Sequence, residues 1–583
     1  MGNMKSPPDS DARRLSIGRV PTDVALLLAV AALLLVPSFF TRHLWPPDET
    51  RYMEVSWEMA TAHQYLVPFS NGEPYTQKPP LFFWLGAWLY RMGFGLAATR
   101  AVAALAATGT AMLTYVIGRR HLRGPGPLLS AVITLTTLLF MVPSKIGGID
   151  ALLCFLMMAA ICCGLYALEA DARRGVRCWL AAYLFLGLAV LAKGPVGMVV
   201  PALVVSGCAL AEGKRPSASG AVHVLGVTFM LAVALVWAVP AALAGGREYA
   251  DELMFRQSLG RVARSFSHSA PFYHYLMLSP ALFLPWSLLL IPALASAVEG
   301  WRRREPLARQ GLVWFATVFL FFSLMSGKRS PYLLPMLPAA GLLLARYFAG
   351  ARPASSRQGV AERRAIGFTI AALATALAIG LAVAIRMPEV VRLLTNADVE
   401  TAQEILGLGR GLLRELAPAA AVGFLILGFA WREGIARGRL TSFAAAMAAF
   451  MIWLSLVADV VGFRRLDRFR SGNEFGLAAA PLVAQADRVF LYRKDFEGVY
   501  NLQFQRAWLP VLENRAAVEH AMSWPQKTAV VILRKDLTGR TGWPLRNSHI
   551  AAMGHTGVEV FCLLTNWPPA SSATPQAGEP PPR

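Results

Sequence analysis

With 583 residues, 55% of them hydrophobic and 16% charged, and a mean hydropathy of +0.46, the chain is too apolar for a soluble domain of its size and reads as a polytopic membrane protein. A formal net charge of +21 would suggest nucleic acid in a soluble protein. Here most of the arginine sits in short loops between apolar runs, where it sets membrane orientation, so nucleic acid is excluded as a partner.

Residues 1–21 are polar and basic, with Lys5, Arg13, Arg14 and Arg19 ahead of the first apolar run, which predicts a cytoplasmic N-terminal segment and an uncleaved first helix. Apolar runs of roughly 17 to 25 residues, enough to cross about 30 Å of hydrocarbon, then predict about thirteen spans. They fall near 22–40, 96–118, 126–142, 149–168, 178–191, 196–211, 221–244, 272–298, 311–325, 331–347, 365–385, 415–430 and 441–461. The loops with Arg119-Arg120-Arg123, Arg173-Arg174-Arg177, Lys214-Arg215, Arg302-Arg303-Arg304, Arg363-Arg364 and Arg432-Arg437-Arg439 all fall on one side, as cytoplasmic loops should. Thirteen spans form the membrane domain 22–461 and place the C-terminal segment outside. Strand-like runs at 488–492, 529–533 and 558–563, interleaved with helix-like stretches near 475–486 and 516–522, predict a small α/β domain over 462–568, followed by a disordered tail at 569–583. The six cysteines show neither disulfide nor metal spacing.

The first outside loop, 41–95, concentrates acid and base in PPDETRY (46–52), an amphipathic run from Arg51 to Ala62, and YTQKPP (75–80). Charge kept against a membrane is expensive unless it does something. Other outside loops also carry cations where topology alone would exclude them: Arg51 and Lys78 in the first, Lys145 before Asp150, Lys193 in a Lys-Gly-Pro break, Arg256, Arg261 and Arg264, and Lys328-Arg329. Each alone is equally a snorkelling side chain; together they predict an anionic ligand such as a lipid phosphate. Asp48 and Asp150 are good helix caps. Beside these cations they also read as a carboxylate that activates or orients an acceptor and a second in support, with Arg51 one turn from Asp48 on the same helix face. His268 and His274 sit in a polar loop, where solvation and metal ligation both fit.

As an ordered set, PPDETRY, YTQKPP, Ile149-Asp150 opening a span, LAKGPVG (191–197) and SGKRSPYLLPMLP (326–338) resemble the GT-C membrane glycosyltransferases that use a polyprenyl-phosphate-linked sugar. The resemblance is greatest to the bacterial aminoarabinose transferases acting on lipid A, and weaker to the protein O-mannosyltransferases. It implies an all-α polytopic GT-C fold with a C-terminal periplasmic α/β domain, in the bacterial inner membrane. Asp48 and Asp150 would be the catalytic acids. Glu49, Arg51, Tyr52, Lys78, Lys193, Lys328, Arg329 and Tyr332 would hold substrate or phosphate. The implied partners are an undecaprenyl-phosphate-linked sugar, membrane lipids, and lipid A or another periplasmic-side acceptor such as a secreted protein. A divalent metal is an open option, with His268 as the possible ligand. One departure stands out: that branch commonly has glutamate before the lysine of YTQKPP, whereas Gln77 here brings no negative charge for a cation or amino-sugar. The rival reading is a transporter or flippase for a lipid-linked anion, which would show paired halves and broken midplane helices; no internal repeat is visible.

Overall fold

A computed structural model describes residues 20–214, 219–252, 270–350, 357–385, 399–537, 548–556 and 559–568. The predicted N-terminal segment through residue 19 and the tail from 569 lie outside them, as do Arg256, Arg261, Arg264 and His268.

Among the described residues the membrane part is built mainly of helices: α1 (Val20–Leu35), α2 (Asp48–Ala62), α3 (Leu81–Leu89), α4 (Ala98–His121), α5 (Gly126–Thr136), α6 (Leu138–Lys145), α7 (Ile149–Ala167), α8 (Ala172–Lys193), α9 (Val196–Glu212), α10 (Gly220–Asp251), α11 (His274–Leu282), α12 (Ser287–Arg302), α13 (Pro306–Leu324), α14 (Leu337–Ala349), α15 (Arg357–Ile385), α16 (Val399–Trp431) and α17 (Leu440–Val457). Among the described residues ten stretches are long and apolar enough to cross a membrane. Two bent pairs, α5 with α6 at 64° and α11 with α12 at 111°, are apolar enough when taken together, and the shorter apolar α9 falls on the remaining predicted run. Large apolar side chains such as Val236, Leu243, Phe272 and Leu324 stay exposed on the outside of the bundle, as expected where lipid is the solvent. Inside, close approach rests on small residues. A Cβ added to Gly109 of α4 would lie 2.6 Å from the Phe155 ring of α7, and one on Gly341 of α14 2.5 Å from the Ser130 carbonyl of α5.

Between α1 and α4 the chain leaves the bundle. The run predicted to be amphipathic is α2, and most of it is buried, including Glu49, Glu54 and Glu58, because it is covered on both sides. One cover is the bundle. The other is the C-terminal domain: α18 (Arg464–Arg470), α19 (Asn473–Val483), β3 (Arg488–Tyr492), α20 (Val499–Phe504), β4 (Val511–Leu512), α21 (Arg515–Met522), β5 (Thr528–Leu533), α22 (Arg534–Leu537), β6 (His549–Thr556) and β7 (Glu559–Thr565). Preceding these, β1 (Phe69–Ser70) and β2 (Glu73–Pro74) form a hairpin in the first loop whose turn is Asn71-Gly72, both at positive φ, as a tight two-residue turn requires.

The C-terminal sheet has order β4-β3-β5-β7-β6. β3 pairs parallel with β4 and β5, and β7 antiparallel with β5 and β6. Its central strand, β5, is buried on both faces, which explains the unbroken apolar run TAVVIL. The predicted strands became β3, β5 and β7; β4 is two residues long and β6 (HIAAMGHT) is too polar to advertise itself. Contacts across the seam tie this domain to the first loop. Arg51 pairs with Glu497, Asn71 bonds to Asn501 at 2.8 Å and to Leu509, and His43 and Trp45 bond to Asp467.

Candidate active site

Four segments far apart in sequence meet beside the start of α2. Asp48 opens that helix, and its Oδ2 accepts a hydrogen bond from Arg329 Nη2 at 2.7 Å, with both side chains about one-third exposed at 31% and 38%. Asp150 stands in the first turn of α7, where the positive end of the helix favours a carboxylate, and pairs with Lys193 from the last turn of α8. The same Lys193 ammonium lies 4.8 Å from the centre of the Tyr332 ring, a cation–π contact with the 3-10 turn Ser330–Met336. Tyr52 is buried edge-on against Phe82 and Phe83. Burial, then the neighbouring Tyr75, Asp48 and Asp150, push its phenol well above the usual range, so it stays a proton donor. Sequence reading thus named Asp48, Asp150, Lys193, Arg329, Tyr332 and Tyr52, and the fold brings them into one neighbourhood.

Other named residues are occupied elsewhere. Glu49 faces inward at 2% exposure, held by Arg42 and Arg100; burial raises its pKa, but the two guanidinium groups outweigh that and hold it at about 2. It is therefore not presented to substrate. Arg51 was expected to share a face with Asp48. Instead its guanidinium reaches Glu497 of the C-terminal domain, because that domain covers the flank of α2 that the helical spacing left open. Lys328 is buried and turns back to the last turn of α13, where its ammonium satisfies the terminal carbonyls of Ser323 at 2.8 Å and of the C-cap Met325. Its neighbour Arg329 alone points to the acids. Lys145, read as a surface cation, is buried against Asp459 and Ser455 of the last span. Lys78 is half-buried in the loop before α3, where it donates to the Gln77 carbonyl at 3.2 Å, and Gln77 itself is exposed. His274 starts α11 with its ring against Tyr275. Among the described residues no group of three His, Cys, Asp or Glu converges in a metal-binding arrangement.

Two residues that sequence reading passed over matter here. Tyr275 is fully buried; its hydroxyl accepts from the Arg329 backbone N–H and donates to the Arg329 carbonyl, both at 3.1 Å, fixing that residue's backbone. Arg100 is a lone cation near the start of an apolar span. That alone could have marked it as needing a buried partner.

The chemistry open to this arrangement follows. A carboxylate with a third of its surface exposed can take or orient the proton of an incoming hydroxyl. The cations beside the two acids can exchange a carboxylate oxygen for an anionic oxygen of a ligand, at shared hydrogen-bond geometry.

The comparisons with known proteins agree with this picture. The family described as dolichyl-phosphate-mannose-protein mannosyltransferase matches residues 77–239. An undecaprenyl phosphate-alpha-4-amino-4-deoxy-L-arabinose arabinosyl transferase of Edwardsiella ictaluri is 33% identical over 320 residues, 52% of this chain and 56% of that protein. One from Sodalis glossinidius is 34% identical over 320 residues, 52% of this chain and 55% of that protein. The aligned part thus spans little more than half the length of these curated relatives. In fold, the crystal structure of ArnT from Cupriavidus metallidurans bound to undecaprenyl phosphate superposes with a TM-score of 0.74 at 22% identity, covering 96% of this chain and 99% of that one. In sequence the chain is thus similar to these transferases over about half its length, and its fold is that of the ArnT structure.

Proposed function

We propose that this protein transfers a sugar from an undecaprenyl phosphate carrier to an acceptor on the outer face of the bacterial inner membrane, lipid A or another lipopolysaccharide component. The observation that carries this reading is the convergence of Asp48–Arg329 and Asp150–Lys193, two acid–cation pairs drawn from four distant segments. The relatives' aminoarabinosyl activity and the undecaprenyl phosphate bound in the similar structure support the choice of donor.

In this mechanism Asp48 orients or deprotonates the acceptor nucleophile, which attacks the anomeric carbon as the bond from that carbon to the phosphate oxygen breaks. The departing polyprenyl phosphate carries the negative charge away. Arg329, Lys193 and Lys78 stabilise it, with the hydroxyls of Tyr52 and Tyr332 as neutral donors. Asp150 holds Lys193 in place until the phosphate arrives. Arg51, Glu49 and Lys328 serve the frame of the site. Gln77, with an amide where the aminoarabinose branch commonly has a carboxylate, marks the place where preference between amino and neutral sugars is set.

The same reading assigns topology and domains. Residues 1–21 face the cytoplasm, 22–461 form the membrane domain with its catalytic loop at 41–95, 462–568 lie in the periplasm over that loop, and 569–583 are a tail. The test is transfer of radiolabel from a polyprenyl-phosphate sugar in purified membranes. Asp48→Asn, stably expressed, should lower kcat about 1,000-fold, within the range for loss of a general base; a wild-type rate in that variant removes Asp48 from the mechanism. Mass spectrometry of lipid A from a deletion strain reports the acceptor.

A further inference from the structure

We infer that Glu49 is the positioning residue that sets the distance between Asp48 and Asp150, an inference that rests on the transferase reading for what the two acids do. Its carboxylate is the centre of a buried clasp. Oε2 accepts from Arg42 Nη1 at 2.5 Å and from the Trp45 N–H at 2.9 Å. Oε1 accepts from Arg100 Nε at 2.9 Å, from Arg42 Nη2 at 3.1 Å and, across the site, from the Gly147 N–H at 3.2 Å. Glu49 is next to Asp48 in the chain, and Gly147 is three residues ahead of Asp150. A single side chain therefore spans the gap between the two catalytic segments.

Both arginines extend the clasp to fixed parts of the frame. Arg42 donates to the Lys145 carbonyl at 3.3 Å, in the same connection that leads to Asp150. Arg100 donates to the carbonyls of Ser38, Arg42 and His43, anchoring the chain that enters α2. An independent feature shows that the far side is held as tightly. A Cβ at Gly147 would lie 2.6 Å from Thr99 Oγ1 and 3.3 Å from the Arg100 backbone nitrogen, so the loop before Asp150 lies flat on α4 and tolerates no side chain there. With both ends pressed against α4, the reach of the Glu49 side chain decides the spacing. A misplacement of about 1 Å in a preorganised site costs on the order of 100-fold in rate.

Glu49→Asp tests this without removing the charge. Arg42 and Arg100 stay compensated, while the carboxylate is withdrawn by one C–C bond, about 1.5 Å, from Gly147. Three measurements on the full-length protein in nanodiscs are needed: steady-state kinetics, binding of undecaprenyl phosphate, and amide hydrogen exchange of peptides covering 143–152. The expected result is a kcat lowered about 100-fold, donor KM and undecaprenyl phosphate Kd within about twofold of wild type, and faster exchange at 146–149. A general loss of structure would instead move KM and Kd together with kcat. That result, or a kcat within twofold of wild type, or unchanged exchange at 146–149, overturns the assignment. Glu49→Gln, if it folds, should show the same split at larger amplitude. If the wild-type protein transfers no sugar from any polyprenyl phosphate donor, the functional reading fails, and the exchange measurement still decides whether Glu49 holds the loop.

Discussion

Helix α2 carries two buried carboxylate sites, one turn and a half apart, whose partners drive them in opposite directions although burial raises both. At its start Glu49 meets two guanidinium groups and is held ionised at about 2. Further along, Glu54 and Glu58 meet each other. Their Oε1 atoms both lie 2.9 Å from the single N–H of Asn71, and the Ser70 hydroxyl adds one more bond to Glu54. Burial and the facing Glu58 carboxylate raise Glu54 to about 8, with Asp495 of the C-terminal domain adding to it; burial raises Glu58 to about 7 against the pull of the Asn71 and Gly72 amides. Desolvation is the largest influence in all three, so it is the partner that decides whether a buried acid is a fixed charge or a proton store. The two sites also bind different things. Glu49 joins α2 to the bundle, whereas Glu54 and Glu58 face the hairpin and the C-terminal domain, whose Gly498 lies so close that a Cβ there would meet Glu54 Oε2 at 2.6 Å.

The sharpest way to break the contrast is to take a cation from the first site. Arg100→Met leaves the Glu49 charge buried with Arg42 alone, and removing one partner of a buried pair typically costs about 3–5 kcal/mol. Denaturation monitored in detergent should show that loss, whereas Glu54→Gln at neutral pH should fall within about 1 kcal/mol of wild type, since it replaces a largely protonated acid by a neutral isostere. If the two variants lose equal stability, the charged and neutral descriptions of these sites are wrong.

A change of pH separates the sites without mutation. The folded pKa of Glu49 lies below its unfolded value of 4.5, so its contribution is present above pH 4.5 and is lost as pH falls towards 2. Glu54 and Glu58 have folded values above 4.5, so theirs is complete below pH 4.5 and drains away as pH rises through 7 and 8. Over that upper window the seam between α2 and the C-terminal domain should lose on the order of a few kcal/mol. Corrected for the intrinsic base-catalysed rate, hydrogen exchange of the Asn71-Gly72 turn and of 495–501 should accelerate between about pH 5 and pH 8, and Glu54→Gln should blunt the acceleration. A flat pH response in the wild type would mean the pair is already ionised and solvated.

Much of this architecture was legible in the chain because membrane helices must satisfy their own backbone and show it as long apolar runs. The thirteen runs are helical, and Asp48, Asp150, Lys193 and Arg329 stood out as charges at helix ends. What could not be read is which cation answers which acid. Arg51 is one turn from Asp48 and Arg329 is 281 positions away, yet the fold gives Asp48 to Arg329 and Arg51 to a residue of the C-terminal domain. Helical spacing states which side chains share a face, not what is packed against that face. The burial of Glu54 and Glu58 was hidden for a related reason. Along α2 they read as the polar side of an amphipathic helix until a second domain is placed over them.

The smallest expected effect concerns that second domain and decides the role of Arg51. Its pair with Glu497 is partly solvated, with 20% and 39% of the two side chains exposed, and such pairs contribute about 0.2–1 kcal/mol. Arg51→Ala should therefore lower stability by less than about 1 kcal/mol, match Glu497→Ala in size, and show no further loss in the double variant, because the two residues would be acting as one pair. Donor affinity should stay near the wild-type value. The sequence motif alone makes the opposite forecast, since a guanidinium on the donor phosphate should cost a tenfold or greater loss of binding, about 1.4 kcal/mol, in Arg51→Ala and none in Glu497→Ala. Measured Kd values for undecaprenyl phosphate in the two single variants choose between a latch on the covering domain and a ligand of the substrate.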